Sequence, residues 1–331
     1  MEEDNTMNRK KIVCMGMAVV DVIVRGAAAH GTGRETSYAE SISLHAGGDA
    51  LNQAFVLHAL GCPAELVSFV GQDGFGRFLQ CACEERGLNG AGLQQIAAYP
   101  TAASIVSVAQ DAERRFLSVP EAACRDAGWA SLDLSQYLTP ETGLLCIGSM
   151  FFSRMLDDRL ADILRFAHRH GTITCADMVA DRADAELRDY TGVFSELDYA
   201  LPSAAEAKQY TKKNTADEAA DVLLALGVKH VAIKLGRRGV FYKDQEKRLM
   251  LPAYPANAVD TTGAGDNFMA GFAAALWRGA PIEDCLRYAS AAAAAAVAAI
   301  GATTGVRNAS QPESIVKGLK NDPFVPGTIV L

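Results

Sequence analysis

Short apolar runs of strand length alternate with amphipathic stretches of helix length through most of this 331-residue chain. The strand-like runs are 11–16, 65–70, 143–148, 172–177, 197–201 and 229–234. Between them, 48–60, the stretch from Gly76 to about Arg86, 157–170 and 215–226 carry apolar residues at helical spacing. Few folds accept this pattern. Parallel neighbours need long crossovers, and crossover helices must bury their apolar stripe against the sheet. The expected fold is therefore α/β, with a mainly parallel sheet covered on both faces. Three more helices, 265–278, 281–299 and about 310–319, follow the last strand. With 50% hydrophobic residues the chain can bury a large core.

Two segments break the alternation. Residues 36–45 alternate weakly, and 101–119 read as a hairpin with arms 103–108 and 114–119 around a turn at 110–113. Both are antiparallel in type. They predict a small β-sheet lid, built from about 33–45 and 100–120 and inserted within one domain spanning 11–320.

Charge and cysteine narrow the function. Net charge is -8, with no basic run, which argues against nucleic acid and against an anionic membrane surface. The acidic N-terminus lacks an apolar signal core, and the Ala tract 291–299 is too short to cross a bilayer. Eight cysteines occur without a CxxC pair, mostly in apolar runs, as expected for reduced thiols in a cytoplasm rather than a zinc site.

The most specific segment is Asp260-Thr261-Thr262-Gly263-Ala264-Gly265-Asp266, which opens directly into an Ala-rich helix. Free backbone N–H groups at a helix start attract anions. An acid placed among them is electrostatically awkward unless it takes a proton from a hydroxyl that attacks phosphorus. A plain helix cap explains two Thr, two Gly and two Asp in seven residues poorly.

Other motifs are ambiguous alone. Gly47-Gly48-Asp49-Ala50-Leu51-Asn52 permits a ligand close to backbone, or is a loop with an Asp N-cap. Gly71-x-Asp73-x-x-Gly76 is a turn signal. Asp21, just past the first strand, faces a ligand crevice or is a solvated turn residue. Lys234-Leu235-Gly236-Arg237-Arg238-Gly239 suits nucleotide phosphates or a tight turn.

Taken together, in this order and spacing, these motifs resemble those of the ribokinase-like (PfkB) carbohydrate kinases, over roughly 11–308. The Gly47–Asn52 segment looks most similar to that of bacterial sugar kinases. The resemblance implies a three-layer α/β/α domain with a lid and an ATP-dependent transfer of the γ-phosphate to a sugar hydroxyl. It implies Asp266 as the base, with an ordinary carboxylate pKa, and the N–H groups of Gly263, Ala264, Gly265 and Asp266 as an anion hole. Asp21, Gly47, Gly48, Asp49 and Asn52 would hold the sugar, with Asp49 standing where some ribokinases carry Lys. Lys234, Gly236 and Gly239 would meet the nucleotide phosphates, and Glu206 would organise Mg²⁺ through water. Asp260 and Thr262 match a monovalent-cation site, with K⁺ as the ion. Ser203 and Ser290 depart from the family's usual Asn at the metal and adenine positions. Arg115 is a candidate substrate contact or a solvated strand residue; Met150 lines the sugar pocket or packs in the core. The lid implies a homodimer. A nucleoside kinase of the same fold, and a non-catalytic sugar or nucleotide sensor, stay open as alternatives.

Overall fold

The computed structural model describes residues 10–26, 38–97, 99–108, 114–118, 128–179, 187–319, 323–325 and 327–331. Among the described residues nine strands form one sheet, in the order β13-β12-β11-β10-β9-β8-β1-β4-β5. They are β1 (Lys11–Met15), β4 (Ala64–Gly71), β5 (Leu93–Ile96), β8 (Thr142–Met150), β9 (Ile173–Met178), β10 (Tyr199–Ala200), β11 (His230–Lys234), β12 (Val240–Lys243) and β13 (Arg248–Leu251). Pairing is parallel from β5 through to β11, and antiparallel for β11–β12 and β12–β13.

Alternation along β1 shows why both faces are covered. Ile12 and Cys14 enter one apolar core; Val13 and Met15 enter the other; all four are fully buried. Helices α1 (Asp49–Ala59), α2 (Gly74–Glu85), α6 (Ala264–Trp277) and α7 (Ile282–Val297) fill the first core. Helices α3 (Arg154–Arg169), α4 (Ala204–Thr211) and α5 (Ala216–Ala225) fill the second. Each of α3, α4 and α5 starts on a hydroxyl cap, at Ser153, Ser203 and Thr215. Helix α8 (Ser310–Gly318) packs on α7. Beyond it the chain returns to the sheet, where Phe324 bridges to Met250 and Leu331 N–H donates to the Asn214 carbonyl.

The smaller sheet is separate and has four strands, β3-β2-β6-β7. These are β2 (Val19–Arg25), β3 (Ser41–Gly47), β6 (Ala103–Val108) and β7 (Arg114–Ser118). The expected hairpin arms are β6 and β7; the turn at 110–113, with 33–37 and 119–120, lies outside the described residues. One strand of this sheet was not anticipated, as β5, β12 and β13 were not in the larger one. Asp21 sits inside β2, a central strand of this sheet, rather than in a turn after β1. The reason is the run Val19–Arg25, whose partners β3 and β6 lie far along the chain.

Candidate active site

The anion loop is braced before any ligand is considered. Gly263 caps α6 in the left-handed region, φ 70°, and a Cβ there would lie 2.6 Å from the Ala302 carbonyl oxygen. Asp260 ties the loop to the chain beyond α7: Oδ1 accepts from the Thr262 N–H (2.8 Å) and hydroxyl (2.7 Å), and Oδ2 accepts from the Gly301 N–H (3.0 Å). Asn267 Nδ2 donates to the carbonyls of Gly263 and Ala302, 2.7 Å each. Ala264 N–H turns back to the Thr261 carbonyl at 3.3 Å. Gly265 and Asp266 follow in the first helical turn, where N–H groups point out of the helix end.

Asp266 is 7% exposed, and Asn52 Nδ2 on α1 donates to its Oδ2 at 2.7 Å. Burial, and then the Asp49 carboxylate, push Asp266 well above the usual carboxylate range, against the Asn52 hydrogen bond and Lys234. This corrects the expectation of an ordinary pKa. Asp49 is the first residue of α1 and lines the cavity; Gly48 occupies the N-cap position. Burial and Asp49 also raise Asp21, to about 6. Gly47 is required by this neighbour, since a Cβ on it would lie 2.3 Å from Asp21 Oδ2.

On the other side of Asp266, a cavity of about 770 Å³ runs over the loop to the wall of α7. Ser290, Ala293, Ala294 and Val297 line its apolar end, together with Tyr254 and Ala256. Gly236, Arg237 and Gly239 line it after β11. Lys234, the last residue of β11, is gripped by both oxygens of Asp177, at 2.6 and 2.5 Å. Burial would lower its pKa, but Asp177 and Glu206 outweigh burial and hold it above the ordinary lysine value. Glu206 and Ser203 form a capping box: Ser203 N–H donates to Glu206 Oε2 at 2.6 Å, and Glu206 N–H donates to Ser203 Oγ at 3.3 Å. Burial first, then Asp177, raises Glu206 to about 7, with Lys234 and Ser203 opposing.

Two candidates fall elsewhere. Met150 is fully buried in the core of α3, α4 and α5, the packing alternative; of the residues expected on the sugar side, Asp49 lines the cavity, whereas Asp21, Gly47, Gly48 and Asn52 do not. Arg115 pairs with Ser107, on the opposite face of the small sheet from Asp21 and Ser104; its side chain lies outside the described residues. Asp73 caps α2 through the Gly76 N–H and also accepts from the Thr101 N–H at 2.7 Å, tying α2 to the chain entering β6 of the smaller sheet. Two residues of the site, Asn267 and Asp177, are not singled out by the sequence. Asn267 follows directly on Asp266 in the first turn, which is the available signal, and Asp177 ends an apolar strand run. Arg237, part of the motif after β11 that suits nucleotide phosphates, lines the cavity.

A phosphate-sized anion on the Gly265–Asp266 turn would meet Lys234 on one side and the carboxylate of Asp266 on the other. Among the described residues, no three His, Cys, Asp or Glu side chains cluster to hold a metal ion. Glu206 lines the cavity as a hard oxygen donor, which fits Mg²⁺ carried largely by phosphates and water, whereas both oxygens of Asp177 are taken by Lys234.

Comparison with known proteins agrees with this geometry. Residues 9–309 match the model of the pfkB family carbohydrate kinases. A ribokinase from Haemophilus influenzae is 26% identical over 280 residues, 82% of this chain and 87% of its own length. An ATP-dependent 6-phosphofructokinase from Thermoanaerobacterium thermosaccharolyticum is 26% identical, over 77% of this chain and 80% of its own. The structure of Arabidopsis thaliana ribokinase complexed with ribose and ATP superposes with a TM-score of 0.80 at 26% identity, covering 93% of this chain and 99% of that one. The chain thus belongs to the pfkB family of carbohydrate kinases, phosphotransferases whose acceptor is an alcohol.

Proposed function

We propose that the chain transfers the γ-phosphate of ATP, as its Mg²⁺ complex, to a hydroxyl of a small carbohydrate. One observation carries the reading: Asp266 stands where α1, through Asn52, meets the anion loop and Lys234. The sugar side and the phosphate side of the site join at that carboxylate. Asp21, Asp49 and Asn52 offer acceptors to sugar hydroxyls. Asp266 takes the proton of the attacking hydroxyl as the O–P bond forms and the bond to the leaving ADP oxygen breaks. A carboxylate raised by burial is a stronger base once ionised. The N–H groups of Gly265 and Asp266, with Lys234, hold the charge spread over the transferring phosphoryl, while the Ala264 N–H expected beside them is turned to Thr261. Glu206 would hold the Mg²⁺ through water, and the ion would supply charge neutralisation to the phosphates. The cavity end lined by Ala293, Ala294 and Val297 offers an apolar wall to the face of a purine.

Three further parts of the reading stand separately. K⁺ beside Asp260 and Thr262 would stiffen the loop that positions α6, and activity in KCl against NaCl tests it. Homodimerisation through the lid is supported by its outer face. The register aligns Leu44, Val22, Ile105 and Leu117 across all four strands, and Leu117 is 70% and Leu44 46% exposed. Sedimentation of a Leu44→Glu variant should show a monomer where the parent is a dimer. A cytoplasmic site agrees with seven free cysteines among the described residues, where no helix is long and apolar enough to cross a membrane.

The deciding experiment is coupled ADP release over ketoses, aldoses, sugar acids, sugar phosphates and nucleosides. Acceptor-dependent turnover with a free sugar is expected. Turnover with nucleosides alone would move the chain to the nucleoside-kinase reading. No acceptor-dependent turnover, from protein that binds ATP, would sink the proposal in favour of a sensor.

A further inference from the structure

We propose that Asp177 is a positioning residue for phosphoryl transfer, pinning the Lys234 ammonium over the anion loop; this rests on the kinase reading above. A lysine ammonium is a point charge on a flexible stem, so its place must be set by what grips it. Here both oxygens of Asp177 do so, at 2.6 and 2.5 Å. The carboxylate is itself fixed at the end of β9, since Asp177 Oδ1 also accepts from the Met178 N–H at 2.8 Å. Asp177 is 5% exposed, so the pair is largely shielded from solvent.

The grip sets Lys234 at the transfer point. Its Nζ lies 3.3 Å from where a Cβ on Gly265 would sit, and Asp177 Oδ2 lies 3.8 Å from the same point. An anion on the Gly265 turn would therefore be within reach of the remaining N–H of Lys234. Asp177 does not serve to attract the nucleotide, because a buried carboxylate this close repels phosphate. What it supplies is placement. Two other carboxylates pull on Lys234, those of Glu206 and Asp266. Released from Asp177, the ammonium would swing toward either. A direct pair with Asp266 would neutralise the base and leave the phosphoryl group without its cation. Glu206 makes a poor substitute, since its Oε2 is already held by the Ser203 N–H.

Asp177→Asn keeps the shape and removes the charge that grips. Misplacing a reacting or stabilising group by about 1 Å costs on the order of 10²-fold. The variant should lose about that factor in kcat, while its ATP Kd by calorimetry stays the same or tightens, because a carboxylate near the phosphates has gone. A merely structural role would weaken ATP binding along with the rate. Lys234→Met should lose as much in kcat, and Asp177→Asn combined with Lys234→Met should lose no more than Lys234→Met alone. Should Asp177→Asn fold poorly, Asp177→Glu keeps the charge and displaces it; it should bind ATP normally and still lose kcat. The assignment is overturned by kcat within about threefold of parent in Asp177→Asn or Asp177→Glu, by ATP binding that weakens in step with kcat, or by losses that multiply in the double variant. An inactive parent protein would instead sink the kinase reading, and this assignment with it.

Discussion

Gly47→Ala should leave the fold standing and damage the acceptor side of the site. Gly47 ends β3, and its backbone lies outside the left-handed region, so alanine suits the conformation. The obstacle is a side chain. A Cβ would lie 2.3 Å from Asp21 Oδ2, against at least 3.4 Å for ordinary contact, so the carboxylate must retreat by about 1.1 Å. Asp21 is half-buried on β2 and can turn away, at about 0.5–1.5 kcal/mol for an off-rotamer side chain. Urea unfolding should therefore show a loss of that order and no more. A displacement near 1 Å in a substrate-holding group costs about 10²-fold. That factor should appear in kcat/KM for the sugar, about 2.7 kcal/mol of transition-state stabilisation. ATP affinity should hold, because Gly47 is not among the residues lining the cavity proposed for the nucleotide. Steady-state kinetics with the sugar varied at saturating ATP, beside calorimetric ATP binding, reads both. A sugar kcat/KM within threefold of parent would refute the placement of Asp21 as a sugar ligand.

Asn52→Leu removes the hydrogen bond that lowers the Asp266 pKa. Asp266 must be anionic to act, so the acid limb of kcat/KM should move to higher pH; an unmoved limb, or one moved toward acid, counts against the base assignment. Ser203→Ala should cost about 1 kcal/mol through loss of the N-cap of α4, while Ser203→Asn should be near neutral, as Asn caps equally well; urea midpoints decide. Asp266→Asn should stabilise the ligand-free protein at neutral pH. The raised pKa means ionising Asp266 costs more in the folded than in the unfolded chain. That penalty is absent below the unfolded pKa, grows as pH rises toward the folded value, and vanishes in the amide. Thermal melts against pH test the sign.

The parts legible in sequence were those set by near neighbours. Each parallel crossover announces itself within a few dozen residues, and the loop at 260–266 carries its own explanation. The parts that were not legible depend on distant pairing. Val19–Arg25 becomes a strand only because Ser41–Gly47 and Ala103–Val108 flank it. Asp177 acquires a purpose only from Lys234, 57 residues on. Arg115 illustrates register: a shift of one residue moves a position to the other face, and no local signal in 114–118 chooses. Met150 was judged by its place after a strand, but β8 runs through it to pair with Met178 after a register shift. The pKa of Asp266 could not be read either, since burial and Asp49, 217 residues away, set it.

The central claim is that Asp266 is the base at the junction of sugar and phosphate sites. Asp266→Asn tests it most directly, with ATP and sugar affinities measured on the same protein as kcat. The account predicts affinities within a few-fold of parent, a ligand-free fold at least as stable, and kcat lower by several orders of magnitude. Near-normal kcat in that variant would contradict it.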